Sequence, residues 1–361
     1  MKNKGKIKQD RILTAIVGSY PKPAYIFSGS GRVLLDSVGI SFYKLEKRVG
    51  VAKFKKRLDK AAHQAIVDQN FAGIDLITDG EERRGHYVLY VLRGLDGFDF
   101  EHLKSISIRG GVYEREVPVV TGPIRYKRPI LVDDFKFTQR YAKGIPKIGL
   151  PGPSTVVDCI ADEYYKDVRK LAFDYAKVIH NEVEALIKTG CQVIQFDDPV
   201  LLRYPDRATS WGLKALEACF KGFEAQATFI VHICCGYPNK PLERKGVVYK
   251  ANKDCYQDVL EWFSTSRLDA VSIEGAQSRL DLSILSSIGE KTVMLGVLDV
   301  GDNRVETVSE LVKRGKETLK YLPASQLILA PDCGMLQLTR SAAKAKLKNM
   351  AKAAQILNGG K

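Results

Sequence analysis

Apolar runs ending in polar or glycine-rich corners recur eight times along the chain: Thr14–Tyr20, Ile74–Asp79, Lys147–Leu150, Gln192–Asp197, Thr228–Cys234, Ala270–Glu274, Thr292–Asp299 and Gln326–Cys333. Such runs predict strands buried on both faces. Helical patterns lie between most of them. Glu163–Lys188 is the clearest, with Tyr164, Val168, Leu171, Tyr175, Ile179, Val183 and Leu186 at three- and four-residue steps and Gly190 just past its end. Val51–Phe71, Leu213–Gln226, Tyr256–Ser264, Val305–Tyr321 and Ser341–Leu357 follow. Strands alternating with helices predict a parallel sheet. Eight of them predict an α/β fold of the closed (β/α)8 TIM-barrel type.

Residues 84–146 break the alternation. Ser105–Arg109, Val117–Thr121 and Ile130–Val132 read as strand-like pieces, punctuated by Gly110-Gly111, Pro123 and Pro129. They predict an antiparallel insertion after the second strand. Residues 237–254, rich in Pro, Asn and Lys, form a second insertion directly after a His-x-Cys pair, either a lid or a surface loop. Residues 1–12 are basic and polar and read as a disordered lead-in, so residues 1–361 make a single catalytic barrel domain.

Composition narrows the function class. The chain has 361 residues, 45% of them apolar, enough for a sizeable core. No stretch approaches the roughly 18 unbroken apolar residues of a membrane helix. Seven cysteines at irregular spacing predict a reducing, cytoplasmic setting rather than a disulfide framework. The net charge of +14 is spread over nearly every helix, which reads as a solvated surface or as attraction for an anionic substrate. No basic run is interleaved with aromatics, which argues against nucleic acid.

The chemistry gathers at the strand ends. Asp79-Gly80-Glu81, Asp197-Asp198, His232 with Cys234, Glu274, Asp299 and Asp332-Cys333 all close apolar runs. Burying so many carboxylates is costly unless they are paired or liganded, and one rim of a barrel is where catalytic groups collect. Taken singly, each has a structural reading: Asp299 as a helix cap, Cys159, Cys191, Cys219, Cys255 and Cys235 as small hydrophobes. His232, Cys234, Glu274 and Cys333 complement one another as a tetrahedral zinc shell, and two thiolates favour zinc over magnesium or calcium. Three anionic ligands against a dication leave a poor Lewis acid. They leave intact the ability of the metal to deprotonate a coordinated thiol, so thiol alkylation suits the site better than hydrolysis.

These residues resemble the catalytic barrel of the cobalamin-independent methionine synthase family. The matching pieces are Val17-Gly18-Ser19-Tyr20-Pro21, Asp79-Gly80-Glu81, Ile194-Gln195-Phe196-Asp197-Asp198-Pro199, His232-Ile233-Cys234, Ser272-Ile273-Glu274, Gly296-Val297-Leu298-Asp299-Val300 and Pro331-Asp332-Cys333-Gly334. They run in family order from about residue 14 to about residue 340, nearly the whole chain. The resemblance implies that His232, Cys234, Glu274 and Cys333 bind Zn2+ and that Gly18, Ser19, Glu81 and Asp197 hold homocysteine, a small-molecule thiol. Full-length members of the family carry a second, N-terminal barrel, and this chain resembles the shorter core methionine synthases.

The chain departs from the family where the methyl donor is handled. Gly301 stands where the family has its proton-donating histidine, Thr155 to Glu163 lacks the tryptophan that stacks on folate, and Arg203 replaces a glutamate. These departures point to a methylcobalamin or methyl-corrinoid donor, free or on a corrinoid protein, rather than methyltetrahydrofolate, because a cobalt leaving group needs no proton. His86 and Asp302 are the candidate substitutes for the missing acid. The alternatives are a thiol alkyl transferase of the epoxyalkane–coenzyme M type, disfavoured by the retained Glu81 and Asp197, and a non-catalytic zinc barrel that delivers or senses a thiol.

Overall fold

Among the described residues the chain builds eleven strands: β1 (Leu13–Thr14), β2 (Leu76–Ile77), β3 (Leu95–Ile108), β4 (Tyr113–Tyr126), β5 (Ile145–Pro151), β6 (Ala161–Asp162), β7 (Val193–Asp197), β8 (Thr228–Ile233), β9 (Ala270–Ile273), β10 (Thr292–Leu298) and β11 (Leu327–Pro331). The structure, a computed structural model, describes residues 5–27, 38–108, 111, 113–237, 246 and 250–360. Eight of the strands pair in the order β1-β11-β10-β9-β8-β7-β5-β2, each parallel to its neighbour. A parallel bridge from Ala15 to Leu76 joins the two ends of the row. The result is the expected (β/α)8 barrel, and all eight predicted runs supply a wall strand.

Helices cover the outside. Val168–Lys188 begins at Asp167, whose side chain accepts the amides of Arg169 and Lys170, and Gly190 follows its end at φ 92°. Its buried face of Leu171, Tyr175, Ile179, Val183 and Leu186 matches the face expected from the sequence, but Tyr164 lies before the helix and both it and Val168 are exposed. Arg340–Leu357 and Tyr256–Ser264 also stand where expected. The helix expected over Leu213–Gln226 is shorter: a π turn at Ala208–Gly212 leads into a helix that ends at Ala218.

The barrel interior has two layers. Leu13, Ala15, Leu76, Val193, Ile230, Met294 and Ile328 fill the lower layer with apolar volume. Alternation places Lys147, Gln195, Asp197 and His232 above them, on the same inward face of β5, β7 and β8. The upper layer is polar, and it is the floor of the site. Residues 5–12 are not a free lead-in. The Ile7 amide donates to Thr228 Oγ1 at 3.0 Å, Gln9 Nε2 donates to the Leu327 carbonyl at 2.8 Å, and Arg11 pairs with Asp75 at 2.7 Å. These partners sit at strand starts, so this segment crosses the lower mouth while Ile7 packs against the lower layer.

The first insertion is antiparallel as expected, with β3 and β4 paired along a long hairpin and β6 added parallel to β4. Ile130–Val132 is not a third strand. It leads into the helix Val132–Tyr141, whose first turn carries Asp133 and Asp134 at the positive end of the helix dipole. In the second insertion, 238–245 and 247–249 lie outside the described residues, and the lid reading lies there with them.

Candidate active site

A cavity of about 260 Å³ opens at the C-terminal rim, where the strand ends bring the predicted residues together. Gly18, Ser19, Glu81, Asp197, His232, Cys234 and Cys333 all line it. His86 and Arg115, the latter from β4, line it as well, so the hairpin forms part of the wall.

On one side, β8 and the segment after β11 bring His232, Cys234 and Cys333 together, with one donor atom from each lying within 4.8 Å of the others. The Cys234 and Cys333 sulfurs are 3.6 Å apart. His232 Nδ1 is fixed by Ser272 Oγ on β9 at 2.8 Å, while its Nε2 is buried without a hydrogen-bond partner. An orphaned imidazole nitrogen beside two thiols is a chemical fit for a soft divalent ion such as zinc, and a hydrogen bond to the remote nitrogen is how ligating imidazoles are oriented. The contact with Cys333, aided by His232, pulls the Cys234 thiol below its usual range, and the same contact raises Cys333.

Glu274 is not gathered with these three among the described residues. It is 1% exposed, and its carboxylate accepts Lys250 Nζ at 2.8 Å and the Cys235 amide at 3.0 Å. Burial pushes its pKa up to about 7 against the pull of Lys250. The turn that carries it is held by Asp332, which accepts the amides of Gly275, Ala276 and Gln277 at 2.9, 2.8 and 2.6 Å. Asp332 is thus occupied as a backbone anchor. Asp198 is occupied in the same way, by Ser154 and Thr155 at the start of the helix Pro153–Asp158.

On the other side stand two carboxylates. Glu81 adopts φ 53°, an uncommon conformation for a residue with a side chain, supported by its amide bond to Asp79 Oδ1 at 3.0 Å and by Lys22 Nζ on its carbonyl at 2.7 Å. Gly18 permits the approach, because a Cβ there would lie 2.6 Å from Glu81 Oε1. Asp197 Oδ1 accepts Gln195 Nε2 at 2.6 Å. Burial raises both carboxyls, Glu81 to about 7, with the Arg84 guanidinium opposing and Asp197 adding repulsion. Ser19 Oγ meets Tyr237 Oη at 2.7 Å, over a Gly334 whose Cβ would strike both oxygens at 2.1 Å.

Sequence reasoning missed Lys147, Arg84, Tyr237 and Lys250. Lys147 is fully buried in the barrel, its ammonium donating to the Val17 carbonyl at 2.6 Å, and burial brings its pKa down to about 8 while Asp197 and Glu81 oppose the fall. A lysine within an apolar run was the available signal. Arg84 Nη1 donates to the Gly149 carbonyl at 2.8 Å and lies 3.8 Å from Glu81 Oε1. Tyr237 and Lys250 sit at the two ends of an insertion whose folding the sequence does not specify.

Two acid candidates need correction. Asp302 is exposed, bonds the Arg304 amide at 3.0 Å and is not part of the cavity wall. His86 is on the wall, but burial, and then the Arg115 charge, bring its pKa down to about 3. Its Nδ1 faces the Leu89 amide at 3.5 Å as a helix cap. Burial thus disfavours the protonated form that a candidate acid at His86 would need.

A parallel barrel that collects soft metal donors and convergent carboxylates on its C-terminal rim is the architecture of a catalytic barrel, not of a structural one. The chain belongs to the family described as "Cobalamin-independent synthase, Catalytic domain", whose sequence model matches residues 12–356. It is 30% identical over 349 residues to a methionine synthase of Saccharolobus solfataricus, covering 95% of this chain and 94% of that one. It is 28% identical to a methionine synthase of Thermococcus kodakarensis, covering 95% and 93%. Among solved structures, it is similar to a B12-independent methionine synthase from Shewanella sp. W3-18-1 in complex with selenomethionine, at TM-score 0.86 and 30% identity, covering 97% of this chain and 98% of that chain. The chain is accordingly a methyltransferase of the methionine synthase type, acting on homocysteine. No helix among the described residues is long and apolar enough to cross a membrane.

Proposed function

We propose that this chain moves a methyl group to the sulfur of homocysteine held between a zinc site and a carboxylate pair. One observation carries the reading. The trio His232, Cys234 and Cys333 and the pair Glu81 and Asp197 face a single cavity, so an amino-acid thiol can present its sulfur to one and its ammonium to the other. His232, Cys234 and Cys333, joined by Glu274, are the residues that would hold the zinc. A zinc ion held there would supply the positive charge that favours loss of the substrate thiol's proton.

The protein's own groups do the rest. Glu81 and Asp197 take the ammonium, with Lys147 and Gln195 beneath them holding Asp197 in place through the Gln195 hydrogen bond. Ser19, fixed by Tyr237, supplies a hydroxyl toward the substrate carboxylate. The selenomethionine bound to the Shewanella relative supports an amino-acid product of this shape. An acceptor without an ammonium, such as coenzyme M, has no use for the pair.

For the donor, we favour a methyl-corrinoid. Departure of a folate nitrogen calls for an acid. Gly301 offers none, Asp302 is outside the cavity wall, and His86 is held neutral. The cobalamin-independent description of the family and the B12-independent name of the Shewanella relative favour a second reading, methyltetrahydrofolate. Initial rates of methionine formation by zinc-loaded protein, with methylcobalamin and methyltetrahydrofolate at matched concentration, decide between them. Turnover with neither donor, and with no homocysteine binding, would overturn the methyl-transfer reading itself.

A further inference from the structure

Glu274 has a built seat away from the metal donors, and Lys250 is its centre. Lys250 Nζ lies 2.8 Å from Glu274 Oε1 and 2.7 Å from Gln277 Oε1. Gln277 is itself fixed, since its amide donates to Asp332 Oδ2 at 2.6 Å. The other oxygen of Glu274 takes the Cys235 amide at 3.0 Å. The lysine side chain is 23% exposed and the carboxylate 1%. Both carboxylate oxygens are therefore satisfied without any contribution from His232, Cys234 or Cys333. A buried carboxylate that leaves a metal without such a seat is an unpaired charge held out of water.

We propose that Lys250 is a positioning residue for ligand exchange: it receives the Glu274 carboxylate when the substrate sulfur takes that carboxylate's place on the zinc. The inference rests on the zinc–thiol reading above. In the exchange one metal–oxygen bond is replaced by one metal–sulfur bond. The thiol proton passes to solvent, and Glu274 remains a carboxylate throughout, moving from the metal to the ammonium of Lys250. The lysine thus weakens the fourth ligand enough for the thiol to compete.

The test uses full-length protein loaded with Co2+, whose sulfur-to-cobalt charge-transfer absorption reports thiol coordination independently of turnover. In the unmodified protein, homocysteine should increase that absorption in a saturable manner. Lys250→Met should keep the metal, release it to a chelator more slowly, and bind homocysteine about tenfold more weakly, the loss expected of one charge-assisted hydrogen bond. Lys250→Arg should restore most of the affinity. In a Glu274→Gln background, Lys250→Met should have no further effect, because there is no charge left to receive. Should Lys250→Met fail to fold by circular dichroism, Lys250→Gln carries the same expectations. An unchanged homocysteine affinity in the variant would overturn the proposal. So would loss of cobalt from it, which would make Lys250 a support of the metal site. Absence of any thiol-dependent band in the unmodified protein would instead sink the zinc–thiol reading.

Discussion

Glu81 and Asp197 converge over Gly149: a methyl group added there would lie 3.7 Å from Glu81 Oε1 and 3.0 Å from Asp197 Oδ2. The two residues are 116 positions apart in sequence; Glu81 follows β2 and Asp197 ends β7, the two strands that flank β5, which carries Gly149. Two buried carboxylates aimed at one point repel each other unless a cation joins them, and a glycine beneath keeps the space open. This is the arrangement an ammonium group would complete.

Asp197→Asn keeps the shape and removes the charge. The KM for homocysteine should rise about tenfold or more, the consequence of losing a charge-assisted hydrogen bond of roughly 1.5–3 kcal/mol. Coenzyme M, with no ammonium, should be affected far less. Steady-state kinetics with both thiols measure this. Were coenzyme M the better acceptor of the unmodified protein, the homocysteine assignment would fail and the epoxyalkane-type alternative would stand.

The same pair sets a pH dependence. Burial lifts Glu81 to about 7. An ammonium binds the ionised carboxylate, so below that value a proton must first leave. Methionine affinity should therefore climb as pH rises from 6 to about 7, by up to about tenfold per unit, and level off above. Isothermal titration at several pH values reads the slope. In Glu81→Gln the affinity should be weaker and the slope absent; a slope that survives belongs to another group.

The barrel was legible in the sequence because its strands are buried on both faces and leave continuous apolar runs, and because strand-end chemistry repeats at one rim. What was not legible has physical causes. Ile130 and Val132 are β-branched and follow Pro129, so the local preference is strand-like, and the helix this piece enters is selected by packing of Phe135 and Thr138. Lys250 reaches Glu274 across 24 residues through an insertion with no periodicity. The depressed pKa of His86 comes from burial and from Arg115 on a hairpin whose position is tertiary. Glu274 is legible as a ligand from its strand-end position and the Ser272-Ile273-Glu274 piece, while its hydrogen bonds to Lys250 and Cys235 exist only in three dimensions.

Metal content tests the trio directly. Unmodified protein should carry about one zinc per chain. Cys333→Ser should lose most of it, because an alcohol is a weak ligand for a soft site. Elemental analysis after gel filtration gives the ratio. Full occupancy in Cys333→Ser would remove that residue from the ligand set.

His86 offers the sharpest separation of the two donors. With a pKa of about 3 it is almost wholly neutral at pH 7, so it holds no proton for a departing folate nitrogen. Its structural work is to cap the helix Tyr87–Leu92 and to stack on Tyr87, with ring centroids 5.2 Å apart. Asparagine keeps an acceptor at the cap, a feature whose loss costs roughly 1 kcal/mol, while removing every possibility of acid catalysis. His86→Asn should therefore fold, and should transfer a methyl group from methylcobalamin at a rate within about threefold of the unmodified protein, with an unaltered pH profile between 6 and 8. If methyltetrahydrofolate supports robust turnover that disappears in His86→Asn, the donor raises the pKa of this histidine on binding, His86 is the missing acid, and the corrinoid reading is wrong.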